Sequence, residues 1–296
     1  MTVNVIDTNT LVGLKAGADL YNSNFTDTSN AASKLVGTAA DQVPTNADVR
    51  NPRNRIVNPT MAISQENGFG TVSIPSGSYY LSDQFFTNTH ASSGAVMERS
   101  YTVLNGYDAI RLTATTAATN LTAAISAGRI QTKFEKSNVL GLDDGDVVVA
   151  FTCNVNWTGK LPVVLINGDS SRSYVKDVDV VSGINEVFFV VPFEANTVGV
   201  ETVSSNSGLE MFVAYNNEAN YQQPAANNDA WQAGTNFCST DSTMWTKTIN
   251  NFVEITNVDL YAGNVPREFQ PNSYAQDLAE CQRYFVDLLG GDTSDL

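Results

Sequence analysis

From about residue 53 onward, short apolar or alternating runs recur, and Gly, Asn, Asp and Pro break them apart. ERSYTVL, AIRLTAT, KLPVVLING, SYVKDVDVV, EMFVAYN and FVEITNVDLYAG are of this kind, each the length of a strand. GFGTVSIPSGSYYLSDQFF reads as a short strand, a turn at Pro75 to Gly77, and an aromatic strand. DVVVAF and NEVFFVVPF are apolar on consecutive positions, which predicts strands buried on both faces. Roughly ten such runs with turn formers between them predict a mainly β protein, a jelly-roll β-sandwich. No repeat of roughly 20–50 residues is present, which argues against a β-helix or a propeller.

Two segments depart from the strand pattern. LTAAISAGRIQTKF (121–134) opens with helical Ala-rich spacing and turns into a strand at about Arg129. SYAQDLAECQRYFVDLLG predicts a helix over 273–289, with Ser273 and Gln276 at capping-box spacing and Gly290 at the C-cap position. Tyr274, Leu278, Cys281, Phe285 and Leu288 step by four and three, so they form one apolar stripe. That stripe either packs on the helix's own domain or forms a seam against neighbouring subunits.

Residues 1–50 form a separate stretch. Tyr21 and Phe25 are its only aromatics, and its scattered Leu and Val keep no period. So little apolar surface cannot offset the entropy of ordering the segment alone. We therefore expect residues 1–50 to order on a partner or on symmetry mates, as an extended or partly helical attachment and oligomerisation segment. The tract TNADVRNPRNR reads as a linker into a domain spanning 51–296.

Composition narrows the functions. Charged residues are only 16% of the chain, and the net charge is −15. Binding to a phosphate backbone or an anionic membrane needs clustered Lys and Arg, so neither nucleic acid nor membrane is an expected partner. Cys153, Cys238 and Cys281 are odd in number and widely spaced, with no CxxC pair. They predict buried thiols rather than a disulfide framework or a metal site.

Both ends of the β region carry a family likeness. NPRNRIVNPTMAISQENG (51–68) resembles the opening of many phage fibre and virion domains: an Asn-Arg pair, a hydrophobic-Asn step and a Met-x-Ile-x-Gln strand. An aromatic element with an Asp-Arg-Trp step follows in those domains; here it reads Asp83-Gln84-Phe85. FVEITNVDLYAGNVPREFQPNSYAQDLAECQRYF (252–285) resembles the family's ending, with a Pro-x-x-Phe step and a helix holding Leu-x-x-Cys-Gln-Arg-Tyr-Phe. The resemblance implies a carbohydrate-binding-like jelly roll in a virion structural protein.

Little catalytic chemistry is legible. The single histidine, His90, stands in the loop TNTHASSG without a nucleophile elbow nearby. Asp143, Asp144 and Asp146, around Gly145, could offer oxygens to calcium, but they lack the spacing of a calcium loop and read first as a turn. The segment 216–237 is polar yet carries Tyr221, Asp229, Trp231 and Phe237, the combination that stacks on a sugar face and bonds its hydroxyls. Alternatively, Trp231 closes the edge of the jelly roll as a core residue.

These readings converge on a non-enzymatic phage virion protein without cofactors. The expected role is a tail-fibre or receptor-binding subunit, with a head fibre or capsid decoration protein as the alternative. A free-standing carbohydrate-binding module is the second alternative. Expected partners are further copies in a homotrimer, other virion proteins through residues 1–50, and a host surface glycan. MTVNVIDTNTLVGL lacks a basic leader and an unbroken apolar run, so synthesis in the host bacterial cytoplasm and location in the virion are expected.

Overall fold

The computed structural model describes residues 53–121, 127–139, 142, 145–193, 207–216 and 221–283, with the backbone alone at residue 207. The attachment segment expected over 1–50, the helical opening after residue 121 and the end of the C-terminal helix lie outside those residues. All the described residues belong to one unit, Arg53–Leu296.

The apolar runs pair into two large sheets. One has six strands in the order β1 (Val72–Ile74), β4 (Val96–Leu104), β5 (Tyr107–Thr116), β15 (Phe252–Ala262), β7 (Asp146–Val155) and β10 (Gly183–Pro192). The other has seven: β13 (Trp231–Ala233), β9 (Arg172–Val180), β8 (Gly159–Asn167), β11 (Ser207–Val213), β6 (Ile130–Glu135), β3 (Phe85–Thr89) and β2 (Gly77–Ser82). Neighbours in both sheets run antiparallel. A small parallel pair joins β12 (Gln222–Gln223) to β14 (Cys238–Ser239). The chain crosses between the sheets repeatedly, as in a jelly roll, and packs them as a sandwich.

Alternation along each strand builds the core. Val147, Val149, Phe151, Cys153 and Val155 of β7 face Leu161, Val163 and Leu165 of β8 and Leu209, Met211 and Val213 of β11 within one cluster. Each such side chain stabilises the fold by about 1.5–3 kcal/mol when fully buried. Val148 of β7 is also buried, so that strand is covered on both faces where it passes beside Tyr261. NEVFFVVPF differs from the expectation. As β10 it lies at the sheet edge, with Val187, Phe189 and Val191 inward and Phe188 exposed. With a neighbouring strand on one side only, part of its outer face stays open to solvent.

Turn chemistry fixes the registers. Leu104 pairs with Tyr107 across Asn105 and Gly106, whose φ angles of 52° and 86° suit a two-residue hairpin. Asp83 and Gln84 join β2 to β3, and the buried Asp83 carboxylate accepts the backbone N–H of Gln65 at 2.8 Å. Asn58 donates Nδ2 to the carbonyls of Asp83 and Ile63. The Asp-Gln-Phe step thus anchors the segment 58–65.

The two motif-bearing ends meet in space. Asn54 donates to the carbonyl of Val258 and accepts from the backbone N–H of Leu260. A four-residue helix, α1 (Lys136–Val139), follows β6. The C-terminal helix, α2, is described over Tyr274–Gln282, and Ser273 Oγ accepts from the backbone N–H of Gln276 at 3.3 Å. Cys281 is buried against Val57 and Ile63 with Leu278 beside it, whereas Tyr274 is 62% exposed. The apolar stripe therefore divides: Leu278 and Cys281 pack on their own domain, Tyr274 faces solvent, and Phe285 and Leu288 lie outside the described residues. Among the described residues, no helix is long and apolar enough to cross a membrane.

Candidate functional site

The outer face of the seven-stranded sheet gathers aromatic and polar side chains. Strand pairing sets Tyr80, Phe86, Gln131, Phe212, Val164 and Val175 in one row across six strands. One step along the pleat, Lys133, Glu210 and Ile166 form the next row. At the β2 margin the row is open: Tyr80 is 51% exposed, and its ring centroid lies 6.2 Å from that of Phe86. Ser78, Tyr79, Tyr80, Phe86 and Lys133 enclose a cavity of about 240 Å³.

A polar ladder crosses the middle of this face. Arg129 Nε donates to Gln131 Oε1 at 2.8 Å, and Gln131 Nε2 donates to Glu210 Oε2 at 2.8 Å. Lys133 Nζ stands 2.8 Å from Glu210 Oε1 and 5.9 Å from the Phe86 ring centroid. Burial pushes the Arg129 guanidinium below its ordinary value, while Tyr215 and Glu210 pull it upward.

Beyond the ladder the face is roofed. Phe212, Tyr215, Val164, Ile166 and Val175 form a second apolar cluster with Phe237 packed on it. Phe237 stacks on Tyr215 at 4.3 Å, nearly parallel, and Tyr221 tilts against Phe237 at 5.3 Å. The arrangement is a polar strip between an open aromatic margin and a covered one. Rings can take the apolar face of a ligand while amide, carboxylate and ammonium groups bond its polar edge.

The structure disperses the residues singled out by pattern. Tyr221 joins the roofed margin. Asp229 pairs with Lys176 at 2.9 Å, away from it. Trp231 is 8% exposed and lies edge-to-face on Phe193, and its indole N–H donates to the carbonyl of Pro192 at 2.9 Å. Its ring is a core element and presents no stacking surface. His90 Nδ1 accepts from the backbone N–H of Ser92, capping a short 3₁₀ turn. Asp146 opens β7, whereas Asp143 and Asp144 lie outside the described residues. Among the described residues, no cluster of three His, Cys, Asp or Glu side chains could hold a metal ion. All three cysteines are buried.

Tyr80, Phe86 and the ladder were not singled out by sequence. The YYLSDQFF element shows that aromatics are present, but which of them face outward depends on a bulge between Tyr80 and Ser82.

No family model matches the sequence, and no curated protein matches it. Solved structures with a similar course of chain include a CBM4 structure (11% identity, covering 69% of this chain and 96% of the other, TM-score 0.37). A family 30 carbohydrate-binding module is similar at 9% identity, over 72% of this chain and 97% of the other, with a TM-score of 0.31. The enzymatically active domain of bacteriophage CBA120 tailspike protein 4 is similar at 9% identity and a TM-score of 0.33; the match covers 72% of this chain and 21% of the other. The sandwich assignment stands on the strand pairing described above.

Proposed function

We propose that this protein is a non-catalytic carbohydrate-binding domain that takes a glycan on the outer face of its seven-stranded sheet. The observation that carries this reading is the half-exposed Tyr80 ring beside Phe86, adjoining the ladder Arg129–Gln131–Glu210–Lys133. A sugar ring stacks its C–H face on such aromatics, and its hydroxyls find donors and acceptors held in place by one another. Calorimetric titration with tetrasaccharides of β-1,4-linked glucose, galactose, mannose and N-acetylglucosamine tests it. At least one should bind, and Tyr80→Ala combined with Phe86→Ala should weaken it about tenfold or more. Wild-type affinity in that double variant, with no ligand lost per chain, would overturn the assignment.

A finer reading places the domain in a phage particle, with residues 1–50 docked on other virion proteins or on symmetry mates of a homotrimer. Its support is the sequence likeness of 51–68 and 252–285, together with the packing of those two stretches on each other. Cryo-EM of the purified particle distinguishes the roles. Density at the tail supports a receptor-binding fibre, density on the shell or vertices supports a head fibre or decoration protein, and absence from the particle removes the virion reading.

A further inference from the structure

The opposite face of the sandwich carries a larger hollow. A cavity of about 430 Å³ opens on the outer side of the six-stranded sheet, with Asn105, Tyr107, Glu186, Phe188, Asn257 and Phe269 among its walls. That volume is ordinary for a small-molecule site. Phe188 is 44% exposed, which edge strand β10 permits. Tyr107 and Phe269 meet edge-to-face at 5.8 Å, so a second aromatic wall is held in place.

The polar groups here are fixed rather than loose. Asn105 Nδ2 and Thr152 Oγ1 each donate to one oxygen of Glu186, at 3.0 and 2.8 Å, and the carboxylate keeps lone pairs for further donors. Arg267, the cation in the lining, forks onto both oxygens of Asp259 at 2.9 and 3.1 Å and lies over the Tyr261 ring. Its charge is already answered, which disfavours an anionic ligand.

Asn257 supplies the independent sign. It stands at a bulge in β15 between Thr256 and Asp259, with φ 54°. It is nine-tenths buried and lines the cavity, yet its Oδ1 has no hydrogen-bond partner. A buried acceptor without a donor costs free energy, and bulges re-aim side chains beside binding sites. The patch farther along the same face is closed, since Glu254 is held by Thr102, Arg111 and Asn154.

We infer that this cavity is a second carbohydrate subsite, for an uncharged sugar ring that stacks on Phe188 and donates hydroxyls to Glu186, beside the bulge at Asn257. The two subsites lie on opposite faces, so one chain can engage two glycan strands. Avidity from a surface carrying many glycans then follows without new contacts.

Titrating the full chain with the four tetrasaccharides tests this. Wild type should bind two ligands per chain. Tyr80→Ala with Phe86→Ala should leave one site, and adding Phe188→Ala should weaken that residual binding about tenfold or more. One ligand per chain, lost entirely in the Tyr80/Phe86 variant, would overturn the second subsite and leave the first standing. Binding lost through Phe188→Ala alone would keep this subsite and overturn the first. Binding of none of the four would overturn both.

Discussion

Tyr80 and Trp231 sit on opposite edge strands of the seven-stranded sheet, and their surroundings are inverted. Tyr80 shows half its surface to solvent, whereas Trp231 is wedged against Phe193 and Tyr174 with its N–H bonded. Trp231→Ala should therefore cost about 3–5 kcal/mol in urea unfolding. Tyr80→Ala should stay within about 0.5 kcal/mol of wild type while losing glycan affinity. Cys153 gives a pH test at the same scale. Burial, with Glu186 adding, pushes its thiol up to about 12 from an ordinary 9.0. Above about pH 9 the unfolded chain ionises this thiol and the folded one does not. Its stabilisation is thus complete below about pH 9 and falls as pH rises toward about 12. Cys153→Val should flatten the decline in unfolding free energy between about pH 9 and 11, by at most about 1.4 kcal/mol per pH unit.

Among the elements, the contact between α1 and β11 is the least forgiving. A Cβ at Gly208 would meet Val139 Cγ2 and come within 2.8 Å of Lys136 Cα, a backbone atom that cannot swing aside. Gly208→Ala should push α1 off the strand and destabilise the domain by about 1–3 kcal/mol, read from the shift of the denaturation midpoint. Strand identity was legible here because alternation and turn residues are local signals, as with the apolar DVVVAF and the turn at Pro75 to Gly77. Strand position was not. NEVFFVVPF has the composition of an interior strand, yet its place at the end of the sheet, paired to β7 alone, makes it an edge and bares Phe188. The C-terminal helix shows the same limit: its stripe is periodic, but its neighbours Val57 and Ile63 lie more than two hundred positions away in the chain.

For the molecule as a whole, the net charge of −15 bears on association more than on the proposed chemistry. Stacking and hydroxyl bonds to an uncharged glycan release no counterions. Affinity for the bound tetrasaccharide should change by less than about twofold between about 20 and 500 mM NaCl in calorimetric titration. A steep salt slope would point to an ionic ligand instead.

Taken by itself, the amino-acid order determined the class of fold, the strands of DVVVAF and KLPVVLING, and the capped helix at Ser273. All of these rest on periods and short motifs that a chain carries before it folds. It also pointed to aromatics near residues 221–237, where the reading could not separate a ring in the core from a ring at the surface. Only the tertiary structure decided that Trp231 turns inward and Tyr80 outward, and that Arg129, Gln131, Lys133 and Glu210 line up. It alone set Asn257 at the bulge of β15, in the wall of the cavity that Phe188 also lines. These depend on pairing register and a bulge, where a shift of one residue moves a side chain to the other face of a sheet.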